Sequence, residues 1–183
     1  MSSDVFIIST SRSSQATAAI REAVAQGGVP SGRIQDAIFA SQASSFLTDL
    51  DRITRDAGLT CAAVGVSSGL RALAFASTSI LGDDANLIVV IGMEADQVTA
   101  ILLASAEAVG LLNLLPQGRV AARSLAGSGP ALQAAGLAAN DVSLCKEGDD
   151  LSLLHDLLAE VESQSGRWGM ISSPDITILV ERI

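Results

Sequence analysis

The chain has 183 residues, enough for one substantial domain or two small fused halves. Its net charge of −9 opposes binding to nucleic acids and to anionic membranes, because both need basic surfaces. Hydrophobic residues make up 49% of the chain and aromatic residues only 3%, so the core must be built from Ala, Leu, Ile and Val, which suits a layered α/β fold.

Runs of aliphatic residues bounded by turn residues predict strands, and amphipathic patterns predict helices between them. The predicted strands are Val5–Thr10, Asp36–Ser41, Cys61–Val66, Leu87–Ile91, Val98–Leu103, Arg119–Leu125, Val142–Cys145, Gly169–Ser172 and Ile176–Glu181. The predicted helices begin after Ser13 or Ser14, around Phe46, Leu47, Leu50 and Ile53, and at Gly69, Ala104, Pro130 and Leu151. This alternation predicts an α/β fold with a mixed, mainly parallel sheet.

A break at Pro116-Gln117-Gly118 divides the predicted elements into two groups. We expect an N-terminal half of residues 1–115 and a shorter C-terminal half of residues 116–183. No apolar run reaches the roughly 20 residues of a membrane-spanning helix, and we find no signal peptide at the N-terminus. The two cysteines lack metal-binding spacing, so we expect a cytoplasmic protein with reduced, buried thiols and no metal.

The segment from Cys61 to Glu94 is the centre of the functional question. It is predicted to be a strand, a small-residue turn, an apolar helix and a second strand. Strand-to-helix corners of this kind, here Val66, Ser67, Ser68 and Gly69, often carry a nucleophile in α/β enzymes. Arg71 is the one charge on the helix, so we expect it to pair with a carboxylate, Glu94 or Glu107, or to reach a dimer interface.

Taken in chain order, many segments resemble the thiolase superfamily over nearly the whole length. The segments that carry the resemblance are Val5–Arg12, Ser68-Gly69-Leu70 with the helix that follows, Gly82–Glu94, Asp96–Glu107, Gly118–Gly127 and Asp175–Ile183. The resemblance implies a thiolase-like layered fold of two related βα halves. It also implies a relationship to acyltransferases that act on acyl-CoA.

The departures from the family concern its chemistry. In thiolases a reactive cysteine stands two residues before this Ser-Gly-Leu sequence, and that position here is Val66. The family's Gly-His-Pro motif has no counterpart, and its Asn-Glu pair falls near Gly148 and Asp149. A substrate loop after Glu94 and one strand–helix unit of the second half are also missing. This combined loss predicts that the chain has abandoned Claisen chemistry.

Three side chains remain as weak candidates for a nucleophile, namely Ser67, Ser68 and Cys145. A serine needs a base within reach, and no histidine or lysine is placed to serve. We therefore expect the serines to be turn and capping residues and Cys145 to be buried in a strand. His155, the one histidine, is expected on the solvated face of its helix.

Thiolases dimerise through the strand before the reactive corner, and this implies an interface here. Its expected residues are Cys61, Ala62, Ala63, Val64, Gly65, Val66 and Arg71. We expect a non-catalytic thiolase-fold protein, a pseudoenzyme, that forms a homodimer or pairs with a paralogue, in association with an acyl-CoA-processing partner.

We expect no cofactor. The acidic composition weighs mildly against a polyanionic coenzyme A thioester as a ligand, but a local cationic site would still allow one, so this partner stays open. Two alternatives stay open. One is an acyltransferase or thioester-cleaving enzyme that uses a serine or the relocated Cys145. The other is a binder of an acyl or small apolar ligand without chemistry.

Overall fold

The computed structural model describes residues 4–41, 49–94, 96–163 and 167–183. The helices are α1 (Ala16–Gly27), α2 (Leu50–Asp56), α3 (Gly69–Leu81), α4 (Ala106–Leu112), α5 (Ser128–Ala135) and α6 (Ser152–Ser163). The strands are β1 (Val5–Ser13), β2 (Asp36–Ala40), β3 (Ala62–Val66), β4 (Leu87–Met93), β5 (Val98–Ser105), β6 (Gly118–Ser124), β7 (Val142–Glu147), β8 (Trp168–Ser172) and β9 (Thr177–Arg182).

Every predicted strand and helix is found in the predicted order, although some ends differ. The largest difference is at β1, which continues past Thr10 to Ser13 because Thr10, Ser11, Arg12 and Ser13 all pair with β5. Phe46 and Leu47, which were predicted for the second helix, lie outside the described residues. Within the described ranges, no helix is long and apolar enough to cross a membrane.

The described strands form one 9-stranded sheet in the order β3-β2-β4-β5-β1-β6-β9-β8-β7. Strands β3, β2 and β4 are parallel to one another, as are β7 and β8, and the remaining neighbours are antiparallel. The predicted mixed α/β sheet is therefore confirmed. Its antiparallel share is larger than expected because β5 and β9 each return along the strand that precedes them.

The sheet consists of two related halves that meet at the antiparallel β1–β6 pair. Counted outwards from this pair, the first half runs β1-β5-β4-β2-β3 and the second β6-β9-β8-β7. The order is the same in both halves, so that β7 occupies the place of β2. The difference is that β3 follows β2 at the outside of the first half, whereas no described strand follows β7 in the second half. The boundary at residue 116 stays a prediction, and the sheet continues across it.

Two apolar clusters cover the two faces of the sheet. One face packs against α3 and α6, with Leu70, Leu73, Leu154 and Leu157 fully buried among the strands of both halves. In the first half, the other face packs against α1, α2 and α4. Helix α3 is thus buried on its sheet-facing side only, whereas its apolar sequence predicts burial on most sides, and Phe75 and Leu81 on the outer side are exposed.

The start of α6 approaches the corner between β3 and α3 so closely that only glycine fits. A Cβ atom on Gly69 would lie 2.5 Å from the carbonyl oxygen of Asp149 and 2.8 Å from the amide nitrogen of Leu151. A Cβ atom on Gly92, at the end of β4, would lie 2.8 Å from the Cβ atom of Leu151. The turn before α6 is therefore held directly against this corner.

We predict that Gly69→Ala destabilises the protein, because the new methyl group meets backbone atoms that cannot move independently. The expected loss is about 1–3 kcal/mol, typical of overpacking. Gly110→Ala is the matched control: a Cβ atom on Gly110, within α4, meets no other residue, so the change should stabilise by about 0.5–1 kcal/mol. Urea unfolding of both variants measures the difference, and equal stabilities would contradict the close approach.

Candidate functional site

The corner between β3 and α3 is held by hydrogen bonds from both of its sides. The carbonyl oxygen of Val66 accepts a bond from the Ser41 amide at 3.1 Å. Ser68 is the N-cap of α3, where its hydroxyl oxygen accepts from the Arg71 amide at 3.2 Å and its hydroxyl donates to Asp149 Oδ1 at 2.5 Å. Ser68 thus has the expected capping role, with an additional bond to the second half.

A shallow cleft lies beside this corner, with a volume of about 20 Å³. Its lining residues are Ala40, Ser41, Ser67, Ser68, Gly69, Gly92, Met93, Glu94, Asp149, Asp150 and Leu151. A cavity of this size holds about one water molecule. The buried Leu151 occupies the space in front of Gly69 and Gly92, so the described residues leave little room here for a larger group.

The described lining of the cleft contains hydroxyls and three carboxylates, those of Glu94, Asp149 and Asp150, but no histidine, lysine or cysteine. Neither His155 nor Lys146 is among its described lining residues: His155 Nδ1 lies 2.9 Å from Thr10 Oγ1, and Lys146 pairs with Glu160 at 2.7 Å. Val66, which the sequence resemblance predicts to stand at the position of the thiolase cysteine, is a half-buried hydrocarbon side chain. Among the described residues, no group of acidic, histidine or cysteine side chains is arranged to bind a metal.

The two cysteines lie elsewhere, and the expectation that both are buried is wrong. Cys145 is exposed, because β7 is the last strand of the sheet and its neighbours Leu144 and Lys146 take the side that faces α6. Cys61 is half-buried just before β3, and burial raises the pKa of its thiol. Neither thiol lines the cleft at the corner.

The residues expected at an interface form the outermost strand of the first half. Ala62, Val64 and Gly65 are exposed, and Ala63 and Val66 are partly exposed. On α3, Arg71 is exposed and pairs with Asp175 at 3.1 Å. Arg71 therefore has the expected carboxylate partner, but it is neither Glu94 nor Glu107.

A second polar cluster, which we did not predict, joins β1 to α6. Arg12 donates to Asp156 Oδ1 at 2.8 Å and to the carbonyl oxygen of Ser152 at 3.1 Å. Arg12 Nε and Thr99 Oγ1, on directly opposite residues of β1 and β5, are buried without a partner among the described residues. The sequence signal was the spacing of Ser152, His155 and Asp156, which places them on one face of a helix.

His155 is half-buried in this cluster and not on a solvated surface as expected. Burial lowers the pKa of His155 below its ordinary value, and the positive charge of Arg12 lowers it further. The carboxylates of Asp156 and Glu22 act in the opposite direction without reversing the shift. The folded protein therefore favours neutral His155.

We predict that acidification destabilises the protein through His155. The pKa of His155 is lower in the folded protein than its ordinary value of about 6.5. At a pH between these two pKa values, the unfolded chain therefore binds more protons than the folded protein. The stability that the protein gains from neutral His155 is therefore fully present above the ordinary pKa. It is lost as the pH falls through the lower pKa of the folded state. His155→Gln removes it, so the free energy of unfolding should fall less steeply from about pH 7.5 to about pH 5.5 than in the unmodified protein. Parallel slopes in denaturant titrations would contradict this.

Comparison with known proteins gives a fold but no sequence family. No protein-family model matches the chain, and no curated protein matches it by sequence. The solved structure of human mitochondrial 3-ketoacyl-CoA thiolase is similar with a TM-score of 0.83 at 10% sequence identity, over 98% of this chain and 98% of that chain. The structure of the same human enzyme in complex with CoA gives the same values. The predicted thiolase-like fold is thus confirmed, and at this identity the likeness concerns the fold alone.

Proposed function

We propose that this chain is a non-catalytic thiolase-fold protein that acts by association, through the edge of the sheet formed by β3. The observation that carries the proposal is the exposure of β3. This strand is the last of the sheet among the described residues, and Val64 at its centre is 40% exposed. A sheet edge of small apolar residues offers unpaired backbone groups to a second strand.

The absence of Claisen chemistry is supported by the corner itself. Thiolysis needs a thiolate and a base, and this corner offers Val66, a serine bonded to Asp149 and a cleft of about 20 Å³. The carboxylates of Glu94, Asp149 and Asp150 also line this cleft and would repel the phosphates of CoA. We therefore do not propose CoA, which the human thiolase binds in its solved complex, as a ligand of this corner.

The surface that we propose for association consists of β3 together with Arg71 and Phe75 on α3. These two side chains are four residues apart and hence on one face of the helix. Phe75 is 50% exposed, which is unusual for so large an apolar side chain. Aromatic and arginine side chains are enriched at protein interfaces, so this composition suits a partner surface. The occupant is a second copy or a thiolase-fold paralogue that processes acyl-CoA.

We predict that the pure protein neither cleaves nor condenses acetoacetyl-CoA and acetyl-CoA. Mass spectrometry after incubation with an acyl-CoA should show no acyl group on Ser67, Ser68 or Cys145. A human-type thiolase assayed in parallel is the positive control. Turnover that is lost in Ser68→Ala, or an adduct on any of the three residues, would overturn the non-catalytic assignment.

We predict that the protein is dimeric at micromolar concentration and that Val64→Asp makes it monomeric. An interface with two-fold symmetry would bury two uncompensated carboxylates, at a cost of about 3 kcal/mol or more, which corresponds to at least about a 100-fold weaker dimer. Leu125→Asp is the matched control, since Leu125 is 81% exposed and lies outside β3 and α3. Light scattering measures both variants.

Two results would contradict association through β3. The first is a monomeric protein with no partner recovered by pull-down from its source cells. The second is a dimer that Val64→Asp and Leu125→Asp affect equally. If the protein is monomeric but retains a partner that Val64→Asp releases, the occupant is the paralogue.

A further inference from the structure

A cavity of about 540 Å³ lies at the end of the sheet opposite to the corner. It is formed where β2 and β4 begin, whereas the corner lies where these parallel strands end. Besides these two strands, helix α4 also forms the cavity and contributes Glu107, Ala108 and Leu111 to its lining. Cavities of this volume are typical of sites for small molecules. It is far larger than the cleft at the corner.

The inner wall of the cavity is apolar. Leu87 and Ala108 line it and are 3% and 4% exposed, so they belong to the core of the first half. Leu111 also lines the cavity but is 73% exposed. An apolar molecule in the cavity would therefore cover a leucine that the fold itself leaves in water.

The polar groups around the cavity are mainly donors. Gln35 Oε1 accepts from the backbone amides of Asn86 and Leu87, at 2.5 Å and 3.2 Å, which leaves the amino group of Gln35 free to donate. Asn86 Oδ1 accepts from the Ser105 hydroxyl at 2.6 Å, and this orients the Asn86 side chain in the same way. Both residues therefore offer N–H groups to a ligand.

Arg33 adds a positive charge to these donors. It ends a short helical turn, Ser31–Arg33, and its guanidinium has no ion pair or hydrogen bond to any residue within the described ranges. Arg33 is exposed, so its guanidinium is accessible to a ligand. A guanidinium binds a carboxylate through two parallel hydrogen bonds.

We propose that this cavity binds a monocarboxylate with an unbranched or branched apolar body. The carboxylate pairs with Arg33, and the apolar body lies on Leu87, Ala108 and Leu111. Glu107, which is exposed in the first turn of α4, lines the same cavity and disfavours a second negative charge on the ligand. The site should therefore bind a monocarboxylate more tightly than a polyanion such as a coenzyme A thioester. It shares no lining residue with β3 or with the corner.

Calorimetric titration with octanoate tests the carboxylate, with octanamide as its uncharged analogue. We expect octanoate to bind the full-length protein with saturation, and Arg33→Gln to weaken it at least about tenfold while octanamide changes less than about twofold. Arg52→Gln is the matched control, because Arg52 is an exposed arginine outside the cavity. Glu107→Gln should strengthen octanoate binding, since it removes the repelling charge.

The apolar wall is tested with Leu111→Ser, which should weaken octanoate and octanamide alike, by about threefold or more. Leu125→Ser, another exposed leucine, is its control and should leave both affinities unchanged. The proposal is overturned if octanoate shows no saturable binding in the millimolar range. It is equally overturned if either Arg33→Gln or Leu111→Ser has no greater effect than its control.

Discussion

The structure depends on one close contact, in which Leu151 packs against two glycines of the other half. Gly69 begins α3 and Gly92 lies near the end of β4, and neither position has room for a Cβ atom beside Leu151. Leu151 is fully buried and lies immediately before α6. Because interiors are close-packed, this contact fixes how the two halves lie against each other and leaves little space beside the corner.

The elements of the fold could be predicted from the sequence because each carries its own local pattern. Helix α3 begins at Gly69, as predicted, because Ser68 caps it there, and it ends before Gly82. Strand β1 was predicted too short, since its last residues are polar and are extended only because β5 lies beside them. The local sequence pattern thus indicates whether a segment is a strand or a helix, and pairing with a neighbouring strand decides how long a strand is.

The contacts of the candidate site could not be predicted in the same way. Ser68 and Asp149 are 81 positions apart, Arg71 and Asp175 are 104 apart, and Thr10 and His155 are 145 apart. Choosing such partners requires the order of strands in the sheet, which no single segment encodes. The exposure of Cys145 has the same origin: a strand is buried or open according to its neighbours, and β7 is at the edge.

Strand β7 also has a consequence for assembly. Among the described strands it forms a second open edge of the sheet, on which Ser143, Cys145 and Glu147 are exposed. Polar and charged residues on an edge strand discourage further pairing. If two copies join symmetrically through β3, the combined sheet ends at a polar edge on both sides. Growth then stops at a closed pair and does not continue into an open filament, because a symmetric contact uses each interacting edge once.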